Sequence, residues 1–210
     1  MTVVRGVGRR SLLGLLGIGC IAPSAFAQDG GPRGVIQAFC QQLEKIMRAG
    51  SATPFKARFD MLAPAVDRAF DLATILAVSV GPRWQTVDPA ARATLADVFR
   101  VYTIVSYVAN FNKYGGERFD VTEATRAVGA DQVVSTRIVP TSGDGVKLDY
   151  LMRQSDGGWR VVDVLADGTI SRVAVQRSDF RALLGRDMNT VALLDSLRRK
   201  IADLSGGAVA

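Results

Sequence analysis

The side chains that most enzymes use for chemistry are scarce in this chain of 210 residues, which contains no histidine. Without imidazole, a Ser–His or Cys–His nucleophile pair cannot form, and neither can a zinc site that requires histidine ligands. No glycine-rich phosphate loop follows a predicted strand, and no cysteine cluster could bind an iron–sulfur centre. The sequence therefore predicts no metal site and no cofactor, and any catalysis would depend on carboxylates, lysine or tyrosine.

Asp163 and Asp167 are the strongest candidates for carboxylate chemistry. Asp163 is predicted to share a strand face with Trp159 and Val161, where burial would raise the pKa of its carboxyl group. In the structural alternative, Asp163 accepts hydrogen bonds at a strand end and Asp167 occupies the turn before Gly168. We favour the structural alternative and predict no catalytic residue and no enzymatic activity, with a small carboxylate-dependent enzyme as the alternative.

Residues 1–27 have the three parts of a cleavable export signal. Arg5, Arg9 and Arg10 form a basic start, and an apolar run from Leu12 to Ile21 is too short to span a bilayer as a helix. Ala25-Phe26-Ala27 supplies the small residues that a signal peptidase reads, so we expect cleavage after Ala27 and a periplasmic protein. The general secretory and twin-arginine routes both stay open.

The charge and the cysteine content of the chain expected after cleavage exclude further classes of function. The only charged residues in 1–27 are three arginines, so cleavage lowers the formal net charge from +6 to +3. That small excess, together with export, argues against a nucleic-acid partner. Cys40 becomes the one remaining cysteine, which excludes an intrachain disulfide, and its place on the apolar side of a predicted helix indicates buried packing.

The mature chain is predicted to begin with helices. Apolar residues recur with the period of an amphipathic helix from Val35 to Met47, and further helices are predicted over Pro54–Phe59 and Pro64–Val80. Asp88-Pro89 is an N-cap followed by proline at the first helical position, so a long helix should run from there to about Asn112.

The second half of that long helix is unusually apolar. Arg100 is the only charged residue between Val98 and Phe111. A helix that is apolar almost all round must be covered on several sides. It is either a central core helix or a helix that packs on one face and lines an apolar cavity on another.

Alternation of apolar and polar residues replaces the helical period after Arg118. The predicted strands, separated by glycine-containing turns, are Arg118–Arg126, Asp131–Val139, Val146–Arg153 and Gly158–Leu165. Closing helices are predicted over Ser171–Leu184 and Asn189–Leu204.

These elements predict an α+β fold in which a curved antiparallel sheet of about four strands packs against helices. Such a layer can enclose a cone-shaped apolar cavity, as in nuclear-transport-factor-like folds. Residues 28–205 form one predicted domain, with a helical part at about 32–112, a sheet at about 117–166 and closing helices at about 169–204. Residues 206–210 are predicted to be a disordered tail.

Several local patterns occur together in one order along the mature chain. They are Arg68-Ala69-Phe70-Asp71-Leu72, Gly81-Pro82-Arg83-Trp84, Asp88-Pro89-Ala90-Ala91-Arg92, Gly158-Trp159-Arg160-Val161-Val162-Asp163-Val164, Asp167-Gly168-Thr169-Ile170-Ser171 and Arg177-Ser178-Asp179-Phe180-Arg181. Because these patterns occur in this order, the chain resembles the MlaC family of periplasmic lipid-binding proteins, particularly its hopanoid-biosynthesis-associated branch, HpnM. It departs from the family at Gln176-Arg177, where a tyrosine–arginine pair is usual, so no role is carried over for that tyrosine.

The resemblance implies a single lipid-binding domain that carries a phospholipid or a hopanoid. It also implies exchange with an inner-membrane ABC transporter complex and with an outer-membrane acceptor or donor protein. A periplasmic scaffold subunit without a lipid pocket is the remaining alternative. The predicted lipid-contacting residues come from the long apolar helix, the concave sheet face and the tryptophan near them. They are Trp84, Phe99, Tyr102, Val105, Val134, Thr136, Leu148, Tyr150, Met152 and Val162.

Overall fold

The computed structural model describes residues 30–155 and 157–209. The predicted signal peptide, residues 1–27, lies outside these described residues. Helices come first along the chain, strands follow, and two helices close it, which confirms the α+β order expected from the sequence. The helices are α1 (Pro32–Ala49), α2 (Phe55–Ala69), α3 (Leu72–Val80), a short 3-10 helix (Pro82–Thr86), α4 (Pro89–Asn110), α5 (Arg172–Leu184) and α6 (Thr190–Ser205).

The sheet is antiparallel and contains six strands in the described part of the chain. Its strands are β1 (Arg118–Val121), β2 (Arg126–Val128), β3 (Asp131–Val139), β4 (Val146–Ser155), β5 (Gly158–Ala166) and β6 (Ile170–Ser171). They follow the order β1-β3-β4-β5-β6, and β2 pairs with β3 beyond the end of β1.

The described part of the sheet has two strands more than the four expected: Ile170–Ser171 adds β6, and the predicted first strand, Arg118–Arg126, is divided. That segment forms two short strands, because Thr122 turns the chain between them. Its hydroxyl donates to the carbonyl oxygens of Ala124 and Ser135, at 3.2 and 3.0 Å. These local hydrogen bonds compete with a continuous ladder, as threonine side chains often do.

The predicted single helix Pro64–Val80 is also corrected. Pro64 lies inside α2, and the helix ends at Phe70, whose extended backbone forms a parallel bridge with Val161 of β5. Asp71 then begins α3 by accepting hydrogen bonds from the Thr74 amide at 2.9 Å and the Thr74 hydroxyl at 2.6 Å. The break joins the helical layer to the sheet.

A β-bulge in β5 changes which side chains share a face. Leu151 lies opposite Asp163, but Met152 lies opposite Val161, so Val162 is the extra residue. Because an extra residue inverts the alternation of side chains, Asp163 and Val161 point to opposite faces of the sheet. The expectation that they share a face was therefore wrong.

The helices cover the concave face of the sheet. α4 packs against α2 and α6, and α5 packs against α3, α6 and β5. No helix in the described ranges is long and apolar enough to cross a membrane.

Residues 206–209 also differ from the predicted disordered tail, 206–210. Gly206 adopts a left-handed conformation with φ of 61° and ends α6, and the Gly207 amide donates to the Ala202 carbonyl at 2.9 Å. Val209 is buried at 8% exposure and its amide donates to the Ser205 hydroxyl at 3.3 Å. An apolar residue after a glycine C-cap thus folds back onto the helix.

Cys40 is buried on the core face of α1, with 3% of its surface exposed. Burial raises the pKa of its thiol to about 12. Since the thiolate is the reactive form, this cysteine is inert in the folded protein.

We expect Cys40 to resist thiol reagents until the protein unfolds. In a Cys20→Ser background, a thiol-labelling assay with a chromogenic disulfide should give no fast reaction in buffer and one equivalent in denaturant. A Ser178→Cys variant, whose new thiol would be exposed on α5, provides the control for labelling of an accessible site. Fast labelling of Cys40 in native buffer would contradict the assignment.

Candidate functional site: an apolar cavity

A cavity of about 630 Å³ lies between the concave sheet face and helices α3, α4 and α5. This volume falls within the range of about 300–1,000 Å³ that small-molecule sites occupy. Its lining is mainly apolar and aromatic, with Asp163 and Arg172 as its charged residues among those described. The cavity is partly open to solvent, and Asn110, Val146 and Arg172 are the exposed residues of its lining.

Helix α4 supplies the longest wall of the cavity. Its lining residues recur at helical spacing and are Phe99, Tyr102, Thr103, Ser106, Tyr107 and Asn110. The opposite face of α4, represented by Leu95, Ile104 and Val108, is fully buried against other helices. The second of the two alternatives therefore describes this helix, which packs against other helices on one face and lines the cavity on another.

The sheet contributes a smaller, well-defined part of the lining. The residues come from one end of the concave face and are Ile138, Val146, Leu148, Val164 and Ala166. The other end of that face is filled from α1, because the Phe39 ring lies edge-on to the Tyr150 ring with centroids 6.4 Å apart. The cavity is thus confined to the end of the sheet that α1 leaves uncovered.

Among the predicted lipid-contacting residues, Phe99, Tyr102 and Leu148 line the cavity. The others that are buried lie in the core outside the lining and are Val105, Val134, Thr136, Tyr150, Met152 and Val162. Trp84 is partly buried on the short 3-10 helix and packs against the core. Contact between lipid and these residues stays a prediction.

The sequence reasoning missed the lining residues at the edges of the cavity. Phe70 and Leu72 line the cavity because the helical conformation is interrupted between α2 and α3. The first turns of α5 contribute Arg172, Val173 and Gln176. One signal was present in the sequence. Thr103 and Ser106 are small polar residues on an otherwise apolar helix, and they leave space where larger side chains would fill it.

The matches to known proteins agree with this architecture. The profile of the family described as MlaC protein matches residues 37–199. The chain belongs to the MlaC family. This confirms the family resemblance read from the sequence, whereas the hopanoid-associated branch stays a prediction.

One solved structure shares the fold of this MlaC-family chain. It is a phospholipid-binding protein from Ralstonia solanacearum in complex with a phospholipid, and it superposes with a TM-score of 0.71 at 18% sequence identity. The match covers 83% of this chain and 99% of that chain. None of the curated proteins matches the chain significantly.

The polar groups of this MlaC-family cavity are few, and the carboxylate of Asp163 is already engaged. Its Oδ1 accepts hydrogen bonds from the amides of Val164 at 2.7 Å and Val173 at 3.1 Å, and its Oδ2 accepts one from the Ser171 hydroxyl. Asp163 thus joins β5 to the start of α5. Its negative charge also interacts favourably with the dipole at the N-terminus of that helix. This arrangement matches the structural alternative, and Asp167 occupies the predicted turn with a positive φ of 51°.

The phenol of Tyr107, which lies in the α4 wall of the cavity, remains neutral. Burial raises the pKa of Tyr107 above its ordinary value of 10.0, the proximity of Cys40 adds to the shift, and the charge of Arg172 opposes it. The cavity therefore presents an uncharged aromatic surface next to a single cation. Among the described residues, no group of histidine, cysteine, aspartate or glutamate could hold a metal ion.

Replacing Asp163 by asparagine tests its structural role. The neutral amide that replaces the carboxylate cannot accept from both Ser171 and the backbone amides with the same strength, so we expect a loss of about 1–3 kcal/mol in unfolding free energy. Bound lipid should be unchanged, because the carboxylate is turned toward the protein. Urea unfolding and lipid quantification would check both expectations.

Asp167→Asn is the matched control for this substitution. Asparagine adopts the left-handed conformation as readily as aspartate, so stability should change little. A large loss of lipid binding in Asp163→Asn at unchanged stability would contradict the structural assignment.

Proposed function

We propose that this protein is a periplasmic carrier that holds a membrane lipid in its apolar cavity. We propose further that it shuttles this lipid between an inner-membrane ABC transporter complex and an outer-membrane acceptor or donor. The observation that carries the proposal is the cavity of about 630 Å³ with its apolar lining, in a chain of the MlaC family. The export signal predicted over residues 1–27 supports the periplasmic location.

The energetics of lipid transfer require a cavity of this kind. Two acyl chains of about sixteen carbons each represent roughly 25 kcal/mol of transfer free energy at about 0.8 kcal/mol per methylene. Since the bilayer already provides that burial, a carrier must offer nearly the same apolar surroundings. Scattered apolar side chains on the surface cannot do so, whereas a cavity lined by aromatic and aliphatic side chains can.

A phospholipid is the cargo that we favour over a hopanoid. The Ralstonia solanacearum protein that shares the fold was solved with a phospholipid, and the cavity rim of this chain carries the cation Arg172. We propose no enzymatic activity, because both Asp163 oxygens are engaged in hydrogen bonds within the protein.

Lipid extraction from the gently purified protein, followed by mass spectrometry, tests this function directly. We expect about one equivalent of phospholipid, and exchange with labelled vesicles after delipidation. A protein that is always empty and takes up no lipid from vesicles would overturn the proposal. Recovery of a hopanoid alone would overturn the choice of cargo and retain the carrier function.

A further inference from the structure

We propose that the apolar cavity takes a single acyl chain, and that the cargo is therefore a phospholipid with one tail, a lysophospholipid. The inference rests on the proposed carrier function and specifies the class of lipid that the cavity fits. The volume of the cavity, the length of its α4 wall and the aromatic side chains beside it all correspond to one tail.

The volume of the cavity is too small for two tails. At roughly 30 Å³ for each methylene group, which is about the volume of a water molecule in the liquid, a cavity of about 630 Å³ holds about 21 such groups. Two tails of about sixteen carbons bring about 32 carbons before the glycerol is counted. One such tail with its ester and its glycerol nearly fills the space.

The length of the α4 wall also corresponds to one tail. Its lining runs from Asn110, which is exposed, to Phe99, which is 2% exposed and lies edge-on to the Phe180 ring with centroids 6.3 Å apart. Asn110 and Phe99 are eleven residues apart, which is about 17 Å along a helix at about 1.5 Å per residue. An extended hydrocarbon chain advances about 1.3 Å per carbon, because its C–C bonds are about 1.5 Å long, so a tail of about 13 carbons spans this wall.

Side chains of the protein occupy the space in which a second tail would lie. Beyond the lining residue Leu148, the concave face of β4 continues with Tyr150 and Met152, which are 1% and 0% exposed. The Phe39 ring of α1 lies edge-on to the rings of Tyr150 and Tyr107, with centroids 6.4 and 5.2 Å away. A second tail beside the first would have to displace these buried rings from the core.

Two small polar residues on α4 leave room for the tail without adding unpaired donors to the wall. The Thr103 hydroxyl donates to the Phe99 carbonyl at 2.9 Å, and the Ser106 hydroxyl donates to the Tyr102 carbonyl at 2.7 Å. Because both donors are satisfied within the helix, an apolar tail that lies against them breaks no hydrogen bond.

A series of lysophosphatidylcholines with tails of increasing length tests the dimensions of the site. Isothermal titration calorimetry of the delipidated protein, below the critical micelle concentration of each lipid, would give the affinity for each tail. We expect the affinity to rise about fourfold per carbon up to about 13 carbons, because each of these methylenes is buried, and to change little for longer tails. An affinity that rises at the same rate through about eighteen carbons would overturn the proposed length.

Thr103→Trp should shorten the tail that the cavity accepts. Thr103 lines the cavity seven residues from Asn110, so an indole ring there should stop the tail after about 11 Å, or about eight carbons. Thr103→Leu should move the limit in the same direction by fewer carbons, and it keeps the test available if tryptophan prevents folding. Thr94→Trp, which changes an exposed residue of the same helix outside the cavity, should retain the wild-type limit.

Competition between lipids with one and two tails tests the class of cargo. The delipidated wild-type protein would be incubated with vesicles of dimyristoyl phosphatidylcholine that contain a small known share of myristoyl lysophosphatidylcholine. Mass spectrometry would quantify the lipid recovered with the protein, and a protein-free sample would correct for lysolipid that leaves the vesicles unaided. We expect the lysolipid to exceed its share in the vesicles by at least about tenfold, because the bilayer covers both tails of the diacyl lipid and the cavity covers one.

The outcomes separate the single-tail site from the carrier function. A protein that recovers the two lipids in the proportion of the vesicles would overturn the single-tail site and leave the carrier function standing. An unchanged limit in folded Thr103→Trp and Thr103→Leu proteins would overturn the placement of the tail along α4. A wild-type protein that takes up neither lipid would overturn the proposed function itself.

Discussion

A Ser106→Trp variant of this protein is expected to fold normally and to take up almost no lipid. Ser106 is partly buried on α4, and its side chain lines the cavity. An indole ring at this position would occupy space that the lipid tail needs. If it displaces about four methylenes at about 0.8 kcal/mol each, binding weakens by about 3 kcal/mol, which is more than a hundredfold.

The folding cost of this substitution should be small. The cavity already offers space next to Ser106, and the serine hydroxyl only donates to the Tyr102 carbonyl one turn earlier, at 2.7 Å. Filling an existing cavity with an apolar ring adds buried apolar surface, which commonly stabilises a protein. The unfolding midpoint of Ser106→Trp should therefore equal or exceed that of the lipid-free wild type.

Uptake of a fluorescent phospholipid from vesicles would measure the effect of Ser106→Trp. Thr94→Trp provides the control, because Thr94 is exposed on the same helix, outside the cavity. It should take up lipid at the wild-type level. Unimpaired uptake by a folded Ser106→Trp protein would show that lipid does not occupy this cavity.

Replacement of Phe39 by alanine should cause the largest loss of stability. Phe39 is 1% exposed at the centre of an aromatic cluster. Its ring is edge-on to Phe70, Tyr107 and Tyr150, with centroids 5.1, 5.2 and 6.4 Å away. Truncating a buried phenylalanine costs about 3–5 kcal/mol, from lost transfer energy and the empty space that remains.

Urea unfolding of the lipid-free protein would measure this change in free energy. Phe55→Ala is the matched control, because Phe55 is only partly buried at the start of α2 and should cost less than half as much. Lipid uptake by Phe39→Ala is expected to fall as well, since Tyr107 both contacts Phe39 and lines the cavity. Equal losses in the two variants would contradict the central role of this cluster.

Local signals predicted most of the secondary structure correctly. Asp88 caps α4 as expected, with its Oδ1 accepting from the amides of Ala90 and Ala91 at 2.9 and 3.1 Å. The amphipathic period placed the core face of α1, and alternation placed β3, β4 and β5. These features depend on hydrogen bonds and side chains within one element, so the local sequence is enough to predict them.

Interactions between elements account for the expectations that failed. The break at Phe70 depends on a bridge to Val161, far away along the chain, and the bulge at Val162 appears only when β5 pairs with β4. Alternation read along β5 alone therefore placed Asp163 on the wrong face. No pattern within a single strand records a residue that the neighbouring strand leaves unpaired.

The sequence alone excludes active sites that need imidazole, because the chain contains no histidine. It also predicted that the very apolar helix is either a core helix or the wall of a cavity. The tertiary structure decided where the apolar surface is covered by protein and where it faces a cavity. Hydrophobic periodicity cannot distinguish core residues from cavity-lining residues, because a side chain that packs in the core and one that lines an apolar cavity must both be apolar. Only the placement of α1, α4 and α5 over the sheet shows that Tyr150 contacts Phe39 while Leu148 faces the cavity.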